Sequence, residues 1–213
     1  KQPPLPPVAN HREETISIQP SAPPHGIDAV VHERAATELK PENRIQVGDQ
    51  LRRPHSLVQG AGAALVKATK NGRGMAGTRT SSTDAGAVLD IRVSPAARNR
   101  ALRLMDALLK AFEGRGYAVT ARGVTIEGEM VPLGLVEKED KTLHVPTAAE
   151  TARKRQHSWE RSPTWDYAPS GQLSIFTDAY VWWRRELRKR WSDGRSTRLE
   201  DALNDIVVGL VAV

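Results

Sequence analysis

Ala87-Val-Leu-Asp-Ile-Arg-Val93, then Ser94-Pro95, then an amphipathic run to Gly116 form the stretch that decides the fold. Leu89, Ile91 and Val93 alternate with Asp90 and Arg92, the period of a half-buried strand. Ser94 can accept a hydrogen bond from a first-turn amide, and Pro95 has its φ preset for the first helical position, so a helix starts here. Leu102, Met105, Leu109 and Phe112 fall on one face of it, with Ala101 and Leu108 alongside. Arg98, Arg100, Arg103, Asp106, Lys110 and Glu113 are left for solvent. Gly114 and Gly116 permit the left-handed turn that ends such helices. Tyr117-Ala-Val119 resumes alternation, Val124 and Ile126 mark the next strand, and Glu127-Gly128 is a tight turn. Val131, Leu133 and Leu135 return, with Pro132 placing that strand at an edge or at a position that donates no ladder bond. From Ala87 to Leu135 the order is therefore strand, helix, strand, hairpin.

Toward the N-terminus, residues 1 to about 27 are punctuated by Pro3, Pro4, Pro6, Pro7, Pro20, Pro23 and Pro24, which remove donors and fix φ. A stiff linker is expected, with a polyproline II ligand as the functional alternative and Thr15-Ile-Ser-Ile18 as a short added strand. Asp28 to Leu39 reads as a short helix stopped by Pro41, and His55 to about Thr69 as another. Asn71 to Gly86 is expected to be a basic loop: its Asn71-Gly-Arg-Gly74 lacks the Gly-Lys-Ser/Thr ending of a phosphate loop.

Toward the C-terminus, Thr147 and Glu150 form a capping box for a surface helix through about His157. Trp159, Trp165 and Tyr167 bracket Pro163 and Pro169, and Ser170-Gly171 leads into a strand through Leu173, Ile175 and Phe176. Residues Val181 to Leu187 read equally as helix or strand. Trp191-Ser-Asp-Gly194 is a turn, Thr197 with Glu200 a second capping box, and Leu199, Leu203, Ile206, Val207, Leu210 and Val211 an apolar stripe.

The chain has 213 residues, 31 Lys+Arg against 25 Asp+Glu, and a pI near 9.8. One domain plus a tail fits that length, and the positive field favours anionic partners without selecting among them. With no cysteine there is no disulfide framework and no thiolate site; a reducing, cytoplasmic compartment is the expectation. No apolar run approaches a membrane span, and Lys1-Gln-Pro-Pro-Leu-Pro-Pro7 has no signal-peptide core. The missing initiator Met suggests a start downstream of the true N-terminus.

Thr147 with Glu150, Trp165-Asp-Tyr167 followed by Ser170-Gly171, Trp191-Ser-Asp-Gly194 and Leu199-Glu200 recur in an order that resembles a family of uncharacterised bacterial proteins. In that family a helix-turn-helix-like region precedes a proline-rich segment like Pro3 to Pro7 and then a domain covering roughly Leu57 to Val213. The resemblance implies a DNA-associated, cytoplasmic bacterial protein with no established activity. The helix-turn-helix-like region is missing from this chain.

Arg184, Arg185, Arg188, Lys189, Arg190, Arg195 and Arg198 are seven cations in fifteen residues, interleaved with Trp182, Trp183 and Trp191. Guanidinium groups bind phosphate bidentately and indoles stack on unpaired bases, so these ten residues are the candidate nucleic-acid site. The alternative is that the tryptophans anchor the core and the arginines solvate its outer face. Glu127, Glu129, Glu137 and Lys138, with Asp90, Asp166 and Asp178, are the only material for a metal-dependent nuclease. The histidines show no metal-ligand spacing, and Ser94 and Ser170 lack a Gly-x-Ser-x-Gly setting, so no cofactor and no catalytic residue is assigned.

The expected architecture is α+β: an antiparallel sheet of four to five strands with the Ser94 and Thr197 helices on one face. Residues 1–52 are a proline-rich linker with short accessory elements, and 53–213 the α+β domain. The expected function is a DNA-associated, non-enzymatic accessory or regulatory domain. A metal-dependent nucleic-acid-processing enzyme and a protein-binding or oligomerisation module are the alternatives, with a homodimer through the C-terminal helix as a second partner state.

Overall fold

A computed structural model describes residues 27–68, 71, 73–78, 88–157, 159, 162–178 and 188–211. In chain order these carry helices α1 (Ile27–Glu38) and α2 (Ser56–Lys67), strands β1 (Ala76–Thr78) and β2 (Asp90–Val93), and helix α3 (Arg98–Gly114). Strands β3 (Ala118–Thr120), β4 (Gly123–Ile126), β5 (Glu129–Pro132) and β6 (Gly134–Leu143) follow, then helix α4 (Ala148–Gln156). Strands β7 (Trp165–Phe176) and β8 (Arg190–Ser192) and helix α5 (Leu203–Val211) complete the order. The expected strand at Thr15–Ile18 and the ambiguous segment Val181–Leu187 lie outside the described residues.

The central stretch keeps its apolar face, but its helix begins at Arg98, with Ala97 at the N-cap and no side-chain cap bond; Ser94 and Pro95 open the turn before it instead. Ser94 Oγ accepts from the Ala97 amide at 3.3 Å, and the Arg98 amide donates to the Ser94 carbonyl at 3.1 Å. Leu102, Leu104, Met105, Leu108, Leu109 and Phe112 are all buried. Glu127 (φ +52°) and Gly128 (φ +88°) make the turn between β4 and β5, both central residues left-handed as a two-residue hairpin demands.

The sheet corrects one expectation. It is mixed, not purely antiparallel: β2 and β6 run parallel, with Ile91 opposite Leu135, inside a five-stranded sheet of order β1-β2-β6-β7-β8. The α3 crossover returns the chain to the same edge in the same direction, and parallel neighbours need such a crossover. Alternation alone carries no strand direction, which is why the antiparallel reading failed. The segment 117–135 also divides. β3-β4-β5 form a separate three-stranded antiparallel sheet, and Leu133 is the break before β6 enters the main sheet. The stretch expected to be a loop contains β1, paired with β2 from Ala76 to Thr78.

One row crosses all five strands: Thr78, Ile91, Leu135, Ile175 and Trp191 sit opposite one another in register. All five are buried. Side chains of α3 and α5 pack into the same core as this row. Residues 38–45 are tied to it as well. Ile45 is buried, its amide donates to Asn204 Oδ1 at 3.0 Å, and the Arg115 guanidinium pairs with buried Glu38 at 2.5 and 2.6 Å.

Asp106 and Arg100, both assigned to solvent, are instead tied into the fold. Asp106 is buried, accepting from the His55 amide at 2.7 Å and from Lys110 at 2.6 Å. Arg100 is half-buried and donates two bonds each to Asp193 and Glu200, at 2.6 to 2.8 Å. That network also corrects the second capping box. Glu200 turns to Arg100 instead of reaching back to the amide of Thr197, and residues Leu199–Asp201 form a 3-10 turn with no side-chain cap.

Candidate nucleic-acid interface

β6 and β7 are longer than the sheet they belong to. Their pairing continues from Glu139–Pro169 to Leu143–Trp165, past a bulge between Glu137 and Glu139. The bulge has identifiable causes. Gly171 turns at φ +76°, its amide donates to Glu137 Oε1 at 2.7 Å, and Ser170 Oγ donates to the Lys138 carbonyl at 2.8 Å. Glu137 Oε2 accepts from the Ser94 amide at 2.6 Å, so one buried carboxylate ties the bulge to the start of α3. Extra residues bend a strand and increase its twist, which carries the two-stranded ribbon away from the core.

Opposed residues and their i+2 neighbours share a face. One face of the ribbon therefore carries Glu139, Lys141 and Leu143 with Pro169, Tyr167 and Trp165. The other carries Asp140 and Thr142 with Ala168 and Asp166. The first face is aromatic and cationic. Lys141 Nζ stands 4.0 Å from the Trp165 ring centroid, and the Arg73 guanidinium lies 4.2 Å over Tyr167, its Nη1 held by Glu139 at 2.8 Å. Trp165 is 40% exposed and Trp159 78%, so both indoles present area to solvent.

Helix α4 closes the far end. Its expected capping box is present: Thr147 accepts from the Glu150 amide and donates its own amide to Glu150 Oε2 at 2.7 Å. None of its residues is buried, and Arg153, Lys154 and Arg155 are all exposed. What holds this polar helix is His144, whose Nδ1 meets Asp166 at 2.8 Å and whose Nε2 meets Glu150 at 3.2 Å. The hydrogen bond to Asp166, then its charge and those of Glu150, raise the His144 pKa above its ordinary 6.5 despite partial desolvation. The Thr147 amide and hydroxyl lower that of Glu150 below its ordinary 4.5.

A raised histidine contributes stability fully below its unfolded pKa and loses it as pH rises through the folded value; a lowered carboxylate contributes above its unfolded pKa and loses it as pH falls through the folded value. The α4 anchor is therefore at full strength between about 4.5 and 6.5 and loosens on the alkaline side as His144 deprotonates. A proton-detected imidazole titration should give His144 a pKa above 6.5, and Asp166→Asn should lower it. An unshifted titration in Asp166→Asn contradicts the assignment.

Of the residues singled out from sequence, the described ones do not form one face. Trp182, Trp183, Arg184 and Arg185 lie outside the described residues. Trp191 is 1% exposed and its indole faces Gly209 of α5, so it offers no ring to a base. Arg190, its neighbour on β8, points to the opposite face and lies 5.2 Å over Phe176. Arg188 sits 5.6 Å over the Trp191 ring and donates Nε to the Arg190 carbonyl at 3.0 Å. Lys189 is half-buried, its carbonyl accepting from the Thr177 amide at 3.0 Å. Arg195 and Arg198 are exposed in the turn beyond β8, Arg198 beside Gly171 and Arg100. Alternation along β8 thus puts Arg190 and Trp191 on opposite faces, and the other described cations of the run lie outside that strand.

The carboxylates do not assemble either. Glu137 is spent on two amides, Glu127 forms a hairpin tip, and among the described residues no group of three or more acidic or histidine side chains is placed to hold a metal ion. Among the same residues no helix is long and apolar enough to cross a membrane. Sequence reading missed the ribbon because Lys141 and Tyr167 are 26 positions apart; only their pairing makes them neighbours. No family model, no curated protein and no solved structure matches this chain.

Proposed function

We propose that the chain is a non-enzymatic, nucleic-acid-associated accessory domain whose contact surface is the aromatic face of the β6–β7 ribbon. The observation that carries this is the juxtaposition of Trp165, Tyr167, Lys141 and Arg73 on one solvent-facing surface, with the cations of α4 at its end. Indoles and phenols stack on bases irrespective of sequence, while ammonium and guanidinium groups neutralise phosphates. DNA is the nucleic acid that the family resemblance implies, and the net charge of +6 supports an anionic partner in general.

Fluorescence anisotropy with labelled single-stranded and duplex oligonucleotides tests the reading. Affinity should fall steeply with salt, and Trp165→Ala should weaken binding about tenfold, the scale of one lost stacking contact. Binding absent at low ionic strength, or undiminished in Trp165→Ala, overturns it.

A second reading has its own observation. Leu143 and Val145 are 67% and 78% exposed on the same arm, apolar area that nucleic acid does not need. Self-association of the arm would cover it. A monomer mass independent of concentration in light scattering removes this alternative.

A further inference from the structure

The strap from residue 44 to residue 55 has no helix or strand and crosses the outer side of α3. It is held at a few points. Arg103 donates to the Gly48 carbonyl at 2.8 Å, Lys110 to the Arg53 carbonyl at 2.9 Å, and the His55 amide to Asp106. Between strap and helix lies a cleft of about 570 Å³, within the size range of small-molecule sites.

Its charge is unbalanced. Arg44, Arg52, Arg103, Lys110 and Arg115 line it against only two carboxylates, Glu42 and Asp106. Some of these cations are already matched. Arg115 is committed to Glu38, Lys110 to Asp106, and Arg44 reaches Asp201 at 3.5 Å. Arg52 and Arg103 have no carboxylate partner among the described residues. Arg103 lines the cleft, is half-buried and uses one of its five N–H donors on Gly48. Holding a guanidinium partly out of water without a counter-charge is unfavourable, and an anion in the cleft relieves it. Ile45, Leu51, Ala107 and Ala111 supply an apolar side next to these cations.

A further feature points to the same place. Arg53 adopts φ +44°, a left-handed conformation that costs a non-glycine residue energy, and its carbonyl is fixed there by Lys110 from the cleft wall. Backbone strain of this kind concentrates at binding sites, where the surrounding contacts over-determine it.

We infer that this cleft is a binding site for a small phosphorylated molecule, its phosphoryl oxygens taken by Arg52 and Arg103 and its apolar body lying against Ile45 and Ala111. The site is separate from the ribbon and independent of the nucleic-acid reading. The guanidinium fork matches phosphoryl oxygens bidentately, and the mixed lining suits a phosphate attached to an organic body better than inorganic phosphate alone.

Isothermal titration of the full chain at low ionic strength with inorganic phosphate, pyrophosphate and adenosine diphosphate tests the inference. Adenosine diphosphate should bind most tightly, with amide resonances of residues 44–52 shifting in parallel. Arg52→Gln, an exposed substitution that leaves the core untouched, should weaken binding about tenfold, and Arg103→Gln by at least as much. Lys67→Gln, an exposed cation of α2 outside the cleft, should change nothing. Absence of binding by all three probes overturns the inference. So does binding that Arg52→Gln and Arg103→Gln leave intact, or that shifts only resonances away from the strap.

Discussion

Asp193→Ala should destabilise the fold by about 3–5 kcal/mol, the scale for removing one partner of a buried ion pair. The carboxylate does more than pair with Arg100. Oδ2 accepts from the Leu173 amide at 2.7 Å and Oδ1 from the Leu199 amide at 3.0 Å. It thereby joins β7, the turn after β8 and the entry to α5, while Arg100 brings in α3. With the side chain only 8% exposed, its loss strands two amides and half of a guanidinium fork. Burial pushes the Asp193 pKa up, but the Arg100 bonds and the two amides outweigh it and hold the pKa below the ordinary value; Arg100 likewise lowers that of Glu200. Both carboxylates therefore contribute stability above their unfolded pKa values, near 3.8 and 4.5, that is lost as pH falls through the folded values. Urea unfolding followed by circular dichroism measures the effect. A loss below about 1 kcal/mol would place the network among surface pairs of little consequence.

Trp191→Ala should cost a similar amount, about 3–5 kcal/mol, because it removes the largest fully buried side chain among the described residues and leaves a cavity at the edge of the five-strand row. The indole is fitted against a glycine. A Cβ at Gly209 would stand 2.3 Å from Cζ2 and 3.2 Å from Cη2 of Trp191. Gly209→Ala alone should therefore destabilise by about 1–3 kcal/mol through overpacking. Combined with Trp191→Leu it should cost less than the sum of the two single changes, since the smaller side chain vacates the space the methyl group needs. Additive losses would show that the two residues do not meet.

What sequence made legible was local. The Leu102–Phe112 face, the Glu127-Gly128 turn and the Thr147/Glu150 box rest on neighbours within about one helical or hairpin turn, and each formed; Ser94-Pro95 opened a turn, with the helix itself beginning at Arg98. What it concealed was pairing at a distance. The direction of β2 relative to β6 depends on where α3 returns the chain, and the burial of Asp106 depends on the His55 amide 51 residues away. Glu200 looked like a capping residue until Arg100, a hundred positions distant, competed for it with a charge-assisted bond. The candidate site followed the same rule. The cation run around Trp191 is conspicuous in sequence because its members are close together, yet within β8 alternation sends Arg190 and Trp191 to opposite faces. The ribbon face is inconspicuous because its members come from β6, β7 and the α2–β1 connection, and only the β6–β7 register assembles them.

On the proposed function, nucleic acid meets the ribbon face and not the buried indole of β8. The five tryptophans give five indole N–H resonances, and following them during titration with a single-stranded oligonucleotide reads each side chain separately. The Trp165 resonance should shift progressively and saturate, while that of Trp191 stays in place. A Trp165 resonance that does not move at saturating oligonucleotide would contradict the claim.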